Sequence, residues 1–318
     1  MSVVSCPRCA TENAEFAARC RECGADLPLL SADPTLSDLP LGSRATSPAS
    51  NDLSGRSIGR YQVIEPLGRG GMGVVYRALD RDLDREVALK FLAAADVKDE
   101  IRLLREARAL AALDHPNVGA IYELGEFEKR RYLALALYDG ETLDRRLARG
   151  PLPVLEAIST FAQAAAALGA AHAAGIVHRD VKPSNLMIVH GGRVNGRVKL
   201  LDFGLAKTQG AAELTEHGVA VGTVAYMAPE QLRAEAIGSA ADIWALGVAF
   251  FEMVSGARPF GREVAERQGL IHQILHDPPP PLPDSVPREV AKLALRCLAK
   301  DPAERPANGT ELLRALEA

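Results

Sequence analysis

Four glycines lie between two strand-like stretches and form the first motif that could do chemistry. They stand in Gly68-Arg-Gly70-Gly-Met-Gly73-Val-Val75. Glycine lets a backbone approach phosphate oxygens closely and present its N–H groups to them. The same spacing marks dinucleotide-binding folds, but there a helix opens at the third glycine. Because VVYRALD, which follows here, is a strand pattern, the motif favours a phosphate-binding flap between two strands.

A lysine and a glutamate stand in apolar surroundings after this motif. Lys90 ends the strand-like stretch VALK, and a lysine at the end of a buried strand is costly unless an anion neutralises it. Nucleotide phosphates would supply one such anion, and Glu106 on the next helix would supply another. The inward-facing neighbours of Glu106 are apolar, so its carboxylate needs a cation in turn. The alternative is that both are solvated surface charges.

Cysteine spacing marks a separate N-terminal segment. Four of the five cysteines lie in the first 23 residues, as Cys6-Pro-Arg-Cys9 and Cys20-Arg-Glu-Cys23. The N terminus has neither a basic start nor an apolar run, so we expect no export signal, and the pairs favour metal-bound thiolates over disulfides. Their spacing predicts a short zinc ribbon, since so small a segment needs a staple to fold. A redox C-x-x-C motif is the alternative, but it would account for only one pair.

Composition and charge exclude several classes of function. The chain has 318 residues, 47% of them apolar and 25% charged, which is the balance of a globular protein. Its formal net charge of −4 gives no reason to expect attraction to nucleic acid or anionic lipid. Residues 1–27 carry three Arg against three Glu and one Asp, with Phe16 as the one aromatic residue. We therefore expect no nucleic-acid partner, and interpret the ribbon as a protein-docking or sensing module or as a passive cap.

The longest weakly polar stretch, residues 161–177, is rich in alanine and is interrupted by Gln163 and His172. A membrane span needs about 20 strongly apolar residues, so this stretch predicts a buried helix. We expect no membrane span and a cytoplasmic location.

Three segments differ in composition. Residues 1–27 hold the cysteine pairs, and residues 28–57 are rich in Ser, Pro, Leu, Asp and Gly without periodicity, as in a flexible linker. Residues 58–318 begin with strand-like stretches and continue, after Asp139, with helical ones. A strand-rich half followed by a helix-rich half predicts an α+β fold with two lobes and a cleft between them.

Three further motifs follow in order: HRDVKPSN at residues 178–185, DFG at 202–204 and APE at 228–230. With these motifs the sequence closely resembles the protein kinase superfamily, in particular the eukaryotic-like serine/threonine kinases of bacteria. The resemblance covers roughly residues 57–318. It implies the two-lobed kinase fold, with a small β-rich N-lobe and a larger helical C-lobe, and makes residues 58–318 the catalytic domain.

The resemblance implies a role for each residue of the first of these motifs. Asp180 would accept the proton of the substrate hydroxyl, and Lys182 would neutralise charge on the transferring γ-phosphoryl. A lysine at this position is similar to the serine/threonine branch rather than the tyrosine branch. His178 is, by the same resemblance, a packing residue and not a base.

The resemblance also implies the nucleotide and metal ligands. Asn185 and Asp202 would hold two Mg²⁺ ions, and Lys90, paired with Glu106, would position the α- and β-phosphates of ATP. Adenine would be recognised by backbone groups of the segment that joins the lobes, in which Ala136 replaces the glutamate of many relatives. The residues expected to bind ATP are Leu67, Gly68, Gly70, Gly73, Val75, Ala88, Lys90, Ala136, Tyr138, Asn185, Met187 and Asp202.

Two scaffold contacts are implied in the same way. Glu230 resembles the acid that pairs with a late-loop arginine, here Arg305. Asp242 resembles the buried acid that anchors the backbone of the catalytic loop.

The segment between Lys207 and Ala228 resembles an activation segment, and its hydroxyl residues include Thr215 and Thr223. Thr215 is the phosphorylation candidate, because a phosphate there could reach Arg179 and Lys207; Thr223 resembles the residue that contacts Lys182 and Asp180. The alternative is that Thr215 has no regulatory role. Many relatives carry their main phosphosite where Val219 stands.

The function implied is transfer of the γ-phosphoryl of ATP to serine or threonine hydroxyls of proteins, including autophosphorylation. One alternative is a pseudokinase that binds ATP and partners without turnover; such proteins usually lose the equivalent of Lys90, Asp180 or Asp202, and all three are present. Another is a zinc-tethered small-molecule phosphotransferase, against which stands the long activation segment that ends in APE.

Overall fold

The N-terminal cysteines belong to a separate unit of the chain. The structure is a computed structural model, and it describes residues 3–5, 9, 11–14, 22–23, 52–70, 73–92, 106–190, 197–203, 221–261 and 266–318. The chain divides into the units Met1–Asn51 and Asp52–Ala318. In the first unit, strands β1 (Val3–Ser5) and β2 (Glu12–Ala14) pair antiparallel. The first cysteine pair lies in their connection. Cys6 and Cys20 lie outside the described residues, as does most of the segment predicted as a linker.

The second unit begins with a six-stranded antiparallel sheet, which with the segments that flank it forms the N-lobe. Side chains alternate along the second long strand: Tyr76, Ala78 and Asp80 are buried and their neighbours are partly exposed, as the two-residue period of a strand requires. Leu53 is 5% exposed and packs into the same apolar cluster, so the folded unit includes residues that precede the first strand. The strand order is β3-β4-β5-β6-β8-β7, with bounds Ser57–Ile58 (β3), Tyr61–Gly70 (β4), Gly73–Asp80 (β5), Arg85–Phe91 (β6), Ile121–Phe127 (β7) and Arg130–Ala136 (β8).

Helices follow in the C-lobe. The helix Ser239–Ser255 is its centre, because almost every side chain along it is buried, including Trp244 and Phe250. The predicted order, strands first and helices after them, is confirmed. Helical residues 106–111 (α1) come before the C-lobe, and its own helices are Leu143–Leu147 (α2), Val154–Ala173 (α3), Val221–Val224 (α4), Pro229–Leu232 (α5), Ser239–Ser255 (α6), Arg267–His276 (α7), Arg288–Cys297 (α8) and Gly309–Glu317 (α9).

A three-stranded sheet lies in the C-lobe that the sequence patterns did not predict. Its strands β9 (Gly140–Thr142), β10 (Leu186–Val189) and β11 (Arg197–Leu200) have the order β11-β10-β9. Each strand is only three or four residues long, too short to show a period of its own. The loop of residues 178–185, which we call the catalytic loop, leads directly into β10, and Asp202 follows just after β11.

Helix α3 is, by length and composition, the described segment that could cross a membrane, but half of its apolar window is buried inside the protein. Phe161 and Leu168 are fully buried in the core, and the helix packs against α6 and α9. This is the packing of a core helix, as the alanine-rich sequence predicted.

Candidate active site

Three side chains of the catalytic loop meet around one carboxylate. The Asp180 Oδ2 atom lies 3.0 Å from the Lys182 ammonium. Asn185 donates from Nδ2 to the Asp180 backbone oxygen at 2.8 Å and to its Oδ2 at 3.2 Å. A 3₁₀ turn, Pro183–Asn185, brings the amide back toward the aspartate. The structure thus groups the three residues that the resemblance assigned to phosphoryl transfer.

The backbone under this carboxylate is anchored by Asp242 on α6. Its Oδ2 and Oδ1 accept the backbone N–H groups of His178 and Arg179 at 2.7 and 2.8 Å. The φ of Arg179 is +64°, a left-handed conformation that costs roughly 1–3 kcal/mol outside glycine. The two buried charge-assisted hydrogen bonds offset that cost. The scaffold role predicted for Asp242 is confirmed.

His178 is completely buried beneath the site. Its Nδ1 accepts the Asp180 N–H at 3.2 Å, so Nε2 carries the proton and donates to the Leu201 carbonyl at 2.9 Å. Its ring centre lies 4.5 Å from that of Phe203. Burial lowers the pKa of His178, outweighing nearby acids such as Asp242 that raise it. A neutral imidazole with both nitrogens engaged supports the loop, as predicted.

Lys90 and Glu106 do not pair with each other in this structure. The Lys90 ammonium lies 2.9 Å from Oδ1 of Asp202, while Glu106 lies 3.4 Å from a guanidinium nitrogen of Arg179. Sheet pairing fixes the backbone of Lys90, whereas Glu106 stands on helix α1, outside that sheet. The predicted Lys90–Glu106 pair is therefore replaced by two other pairs at the junction of the lobes. Sequence spacing could not predict this exchange of partners.

The glycine motif forms the hairpin between β4 and β5, as expected, with Gly70 opposite Gly73 in the register. Gly73 has a φ of +130°, and a Cβ there would overlap the Phe91 carbonyl. Only glycine fits this position. Leu67 is 46% exposed on the same hairpin.

The remaining nucleotide-site candidates lie on neighbouring strands. Val75 pairs with Lys90 and Ala88 with Leu135 in the N-lobe sheet, and Met187 on β10 pairs with Thr142. The Ala136 N–H donates to the Ala120 carbonyl at 3.0 Å.

Of the predicted regulatory residues, Arg179 and Thr223 are described. Thr223, on the short helix α4, borders the same small cavity of about 10 Å³ as Asp180 and Asp242. Arg179 is directed at Glu106 and is 14% exposed in its side chain. Thr215 and Lys207 lie outside the described residues.

The second predicted scaffold contact is present and buried. Arg305 donates from Nη1 and Nη2 to the two carboxylate oxygens of Glu230 at 2.7 and 2.9 Å. The guanidinium also donates to the carbonyls of Ala299, Ala240 and Lys300. This pairing is confirmed.

Two contacts around the site were not anticipated. His172 on α3 bridges Asp242, at 2.9 Å from Nε2, and the N–H of Gly309, at 3.2 Å from Nδ1. A polar residue that interrupts the apolar stretch of a core helix was the signal that could have revealed this contact. The Tyr138 hydroxyl accepts the Ala120 N–H at 3.0 Å, and burial raises the pKa of Tyr138.

The donor set suits Mg²⁺ bound with a nucleotide. Asp202 and Asn185 supply hard oxygen ligands, and Mg²⁺ is usually held by one or two carboxylates plus phosphate oxygens. In the described part of the chain no three His, Cys, Asp or Glu side chains surround one point.

Comparison with known proteins identifies the family to which this site belongs. The chain matches the family model for the protein kinase domain over residues 61–315. It is 39% identical over 269 residues to the serine/threonine-protein kinase PknA of Mycobacterium tuberculosis, covering 82% of this chain and 61% of PknA. It is also 39% identical over 259 residues to the serine/threonine-protein kinase PrkC of Bacillus subtilis, covering 80% of this chain and 39% of PrkC.

A solved structure agrees with these sequence relatives. The crystal structure of the PknI kinase domain of Mycobacterium tuberculosis superposes with a TM-score of 0.63 at 27% identity, covering 83% of this chain and 98% of that structure. The chain spans about three fifths of the length of PknA, and less of PrkC. The sequence motifs, the loop geometry and the superposition agree, and the chain belongs to the protein kinase domain family.

Proposed function

We propose that this chain is an ATP- and Mg²⁺-dependent protein kinase that phosphorylates serine and threonine hydroxyls, including its own. One observation carries the proposal: the Asp180 carboxylate is held between Lys182 and Asn185 on a loop that buried Asp242 anchors. A carboxylate at this place can accept the proton of an acceptor hydroxyl and orient its oxygen. Similarity to serine/threonine kinases favours those acceptors.

The neighbouring residues would act by charge and position. Lys182 would neutralise charge that develops on the transferring phosphoryl group, and Lys90 would orient the other phosphates. Asn185 and Asp202 would hold Mg²⁺, which would supply positive charge against the phosphates. Because Lys90 now contacts Asp202 and Glu106 contacts Arg179, turnover requires Glu106 to move to Lys90. Phosphorylated Thr215 would favour that exchange by offering Arg179 and Lys207 another anion.

Transfer assays test the enzyme directly. The protein is incubated with labelled ATP and Mg²⁺, alone and with a generic basic protein. Asp180→Asn should lower both autophosphorylation and transfer by about 10²–10⁴-fold. Asp139→Asn is the matched control, since Asp139 is 93% exposed in its side chain, and it should behave as wild type. Label transfer that Asp180→Asn leaves unchanged would rule out this mechanism, and no transfer by wild type would favour a pseudokinase, which the comparisons do not support.

The N-terminal segment is proposed to be a zinc ribbon in residues 1–27, joined through a linker in residues 28–51 to the catalytic domain. Sequence patterns predicted that this domain begins at residue 58, but we place its start at Asp52, where the second unit begins, because Leu53 packs into the apolar cluster of the N-lobe. Its ligands would be Cys6, Cys9, Cys20 and Cys23. The β1–β2 hairpin around the first pair supports this proposal, because a thiolate pair at a tight connection suits tetrahedral zinc. The ribbon would dock a protein partner, and the whole chain would work in the cytoplasm.

Metal analysis tests the ribbon. The purified protein should contain about one zinc per chain. Cys9→Ser should lose that zinc, and Cys297→Ser should keep it, because Cys297 is buried in the C-lobe core. Zinc that persists in Cys9→Ser would contradict the assignment.

A further inference from the structure

Two histidines lie side by side on the solvent face of helix α7. His272 and His276 are four residues apart, and their ring centres are 4.9 Å from each other. Both are exposed. Asp277 ends the helix, with its Oδ1 atom 4.0 Å from Nδ1 of His272. Two imidazoles therefore lie together near the carboxyl end of one helix, with a carboxylate close by.

The backbone beneath these side chains is held in place. Leu270 and Ile274 bury the opposite face of α7. The Lys300 ammonium donates to the carbonyls of Gln273 and Ile274 at 3.2 and 2.6 Å, and the Gln273 side chain accepts the Gly261 N–H at 2.7 Å. A ligand at the exposed face would meet a scaffold already ordered, so little conformational entropy is lost on binding.

We propose that His272 and His276 form a bidentate site for a divalent transition metal ion of the Zn²⁺, Ni²⁺ or Cu²⁺ class. Imidazoles four residues apart on a helix face the same way and can share one ion, and imidazole suits these metals rather than Mg²⁺ or Ca²⁺. The carboxyl end of a helix carries partial negative charge, which favours a cation.

The rest of the coordination sphere would come from Asp277 and water. No three such side chains in the described ranges already surround one point, so Asp277 must rotate toward the ion to become its third ligand. The site shares no residue with the proposed Mg²⁺ ligands or the cysteine pairs. Its failure would therefore leave the proposed kinase activity untouched.

Nickel titration tests the site in the full chain. The protein is purified without a polyhistidine tag, loaded with Zn²⁺ to fill any cysteine site, and dialysed against a weak chelator that strips zinc from a two-imidazole site but not from four thiolates. It is then titrated with NiCl₂ by calorimetry. Wild type should bind one Ni²⁺ at this helix. His272→Gln with His276→Gln should weaken that binding by at least about tenfold, since a two-point attachment is lost.

The matched control is His190→Gln. His190 is also an exposed histidine beside an acid, 3.3 Å from Asp139, with 59% of its side chain exposed, and its removal should leave the nickel affinity unchanged. Equal affinity in wild type and the double variant, or an equal loss in His190→Gln, would overturn the proposal.

Should the double variant misfold, the single variants serve instead. His272→Gln or His276→Gln alone should also lose the chelate. If either single variant binds nickel as wild type does, the proposal is overturned.

Discussion

The base of the catalytic loop and the junction of the lobes hold similar charged groups in different ways. Asp242 at the base is 1% exposed and accepts backbone N–H groups at 2.7 and 2.8 Å. Glu106 at the junction keeps 24% of its side chain exposed and reaches Arg179 at 3.4 Å. One acid is buried and engaged through short bonds, and the other is partly solvated with a longer contact.

This difference indicates that Asp242 has a fixed structural role, whereas Glu106 can change its partner. A buried charge that loses its partner keeps its whole desolvation penalty uncompensated. A change of partner would therefore be strongly unfavourable for Asp242, which binds backbone N–H groups, and for Glu230, which binds Arg305. A partly exposed ion pair contributes about 0–1 kcal/mol, so Glu106 can change from one cation to another at little cost. The lobe junction is therefore the place where this fold can alternate between arrangements.

Removing one partner of the buried ion pair should have the largest effect on stability. Arg305→Leu leaves the Glu230 carboxylate buried without its cation, which should lower the free energy of unfolding by roughly 3–5 kcal/mol. Urea unfolding measures this loss. Adding Glu230→Leu should restore part of it, because no buried charge then remains. A double variant no more stable than the sum of the two single losses would show that the pair is not coupled.

Replacing the loop anchor should cost less. Asp242→Asn offers one acceptor oxygen where two backbone N–H groups need one each, so unfolding free energy should fall by about 1–3 kcal/mol. Because the loop loses its anchor, kcat should fall more than the KM for ATP rises. Asp284→Asn, at an exposed position, is the control. A wild-type kcat in Asp242→Asn would show that activity does not depend on this anchor.

Glu106→Gln should separate activity from stability. The pair with Arg179 is partly exposed, so unfolding free energy should change by less than about 1 kcal/mol. Kinase activity should nevertheless drop by about tenfold or more, since Lys90 would lack the carboxylate that positions it during turnover. The matched variant is Glu126→Gln, which breaks the exposed pair with Arg131 at 2.9 Å. Equal activities in the two variants would argue against the exchange.

The smallest effect expected is a pH dependence from His178. Burial lowers its pKa in the folded state, so the unfolded chain binds a proton first as pH falls below about 6.5. Stability from this residue is present above that pH and is lost progressively below it. Between pH 6.5 and 5.5 wild type should therefore lose up to about 1 kcal/mol that His178→Phe does not lose. Parallel pH profiles from urea unfolding would show that His178 is not the source.

How far sequence reasoning reached differs between these regions. The positions of Asp180, Lys182 and Asn185 in one loop, and the pairing of Glu230 with Arg305, followed from the resemblance to protein kinases, because the motifs of that family carry this geometry with them. The partner of Glu106 could not, since two cations lie within reach and the choice depends on where a helix sits. His172 was read only as an interruption of an apolar stretch, although its imidazole joins Asp242 to Gly309.

By itself, the sequence determined the order of strands and helices, the family, and the residues that meet at the catalytic loop. Local periodicity and short motifs encode these features. Only the tertiary structure decided that Lys90 contacts Asp202, that three short strands pair beside the loop of residues 178–185, and that Lys300 holds the end of the helix that carries His272 and His276. These features depend on distances between segments far apart in the chain, and on how deeply each charge is removed from water, which local patterns do not specify.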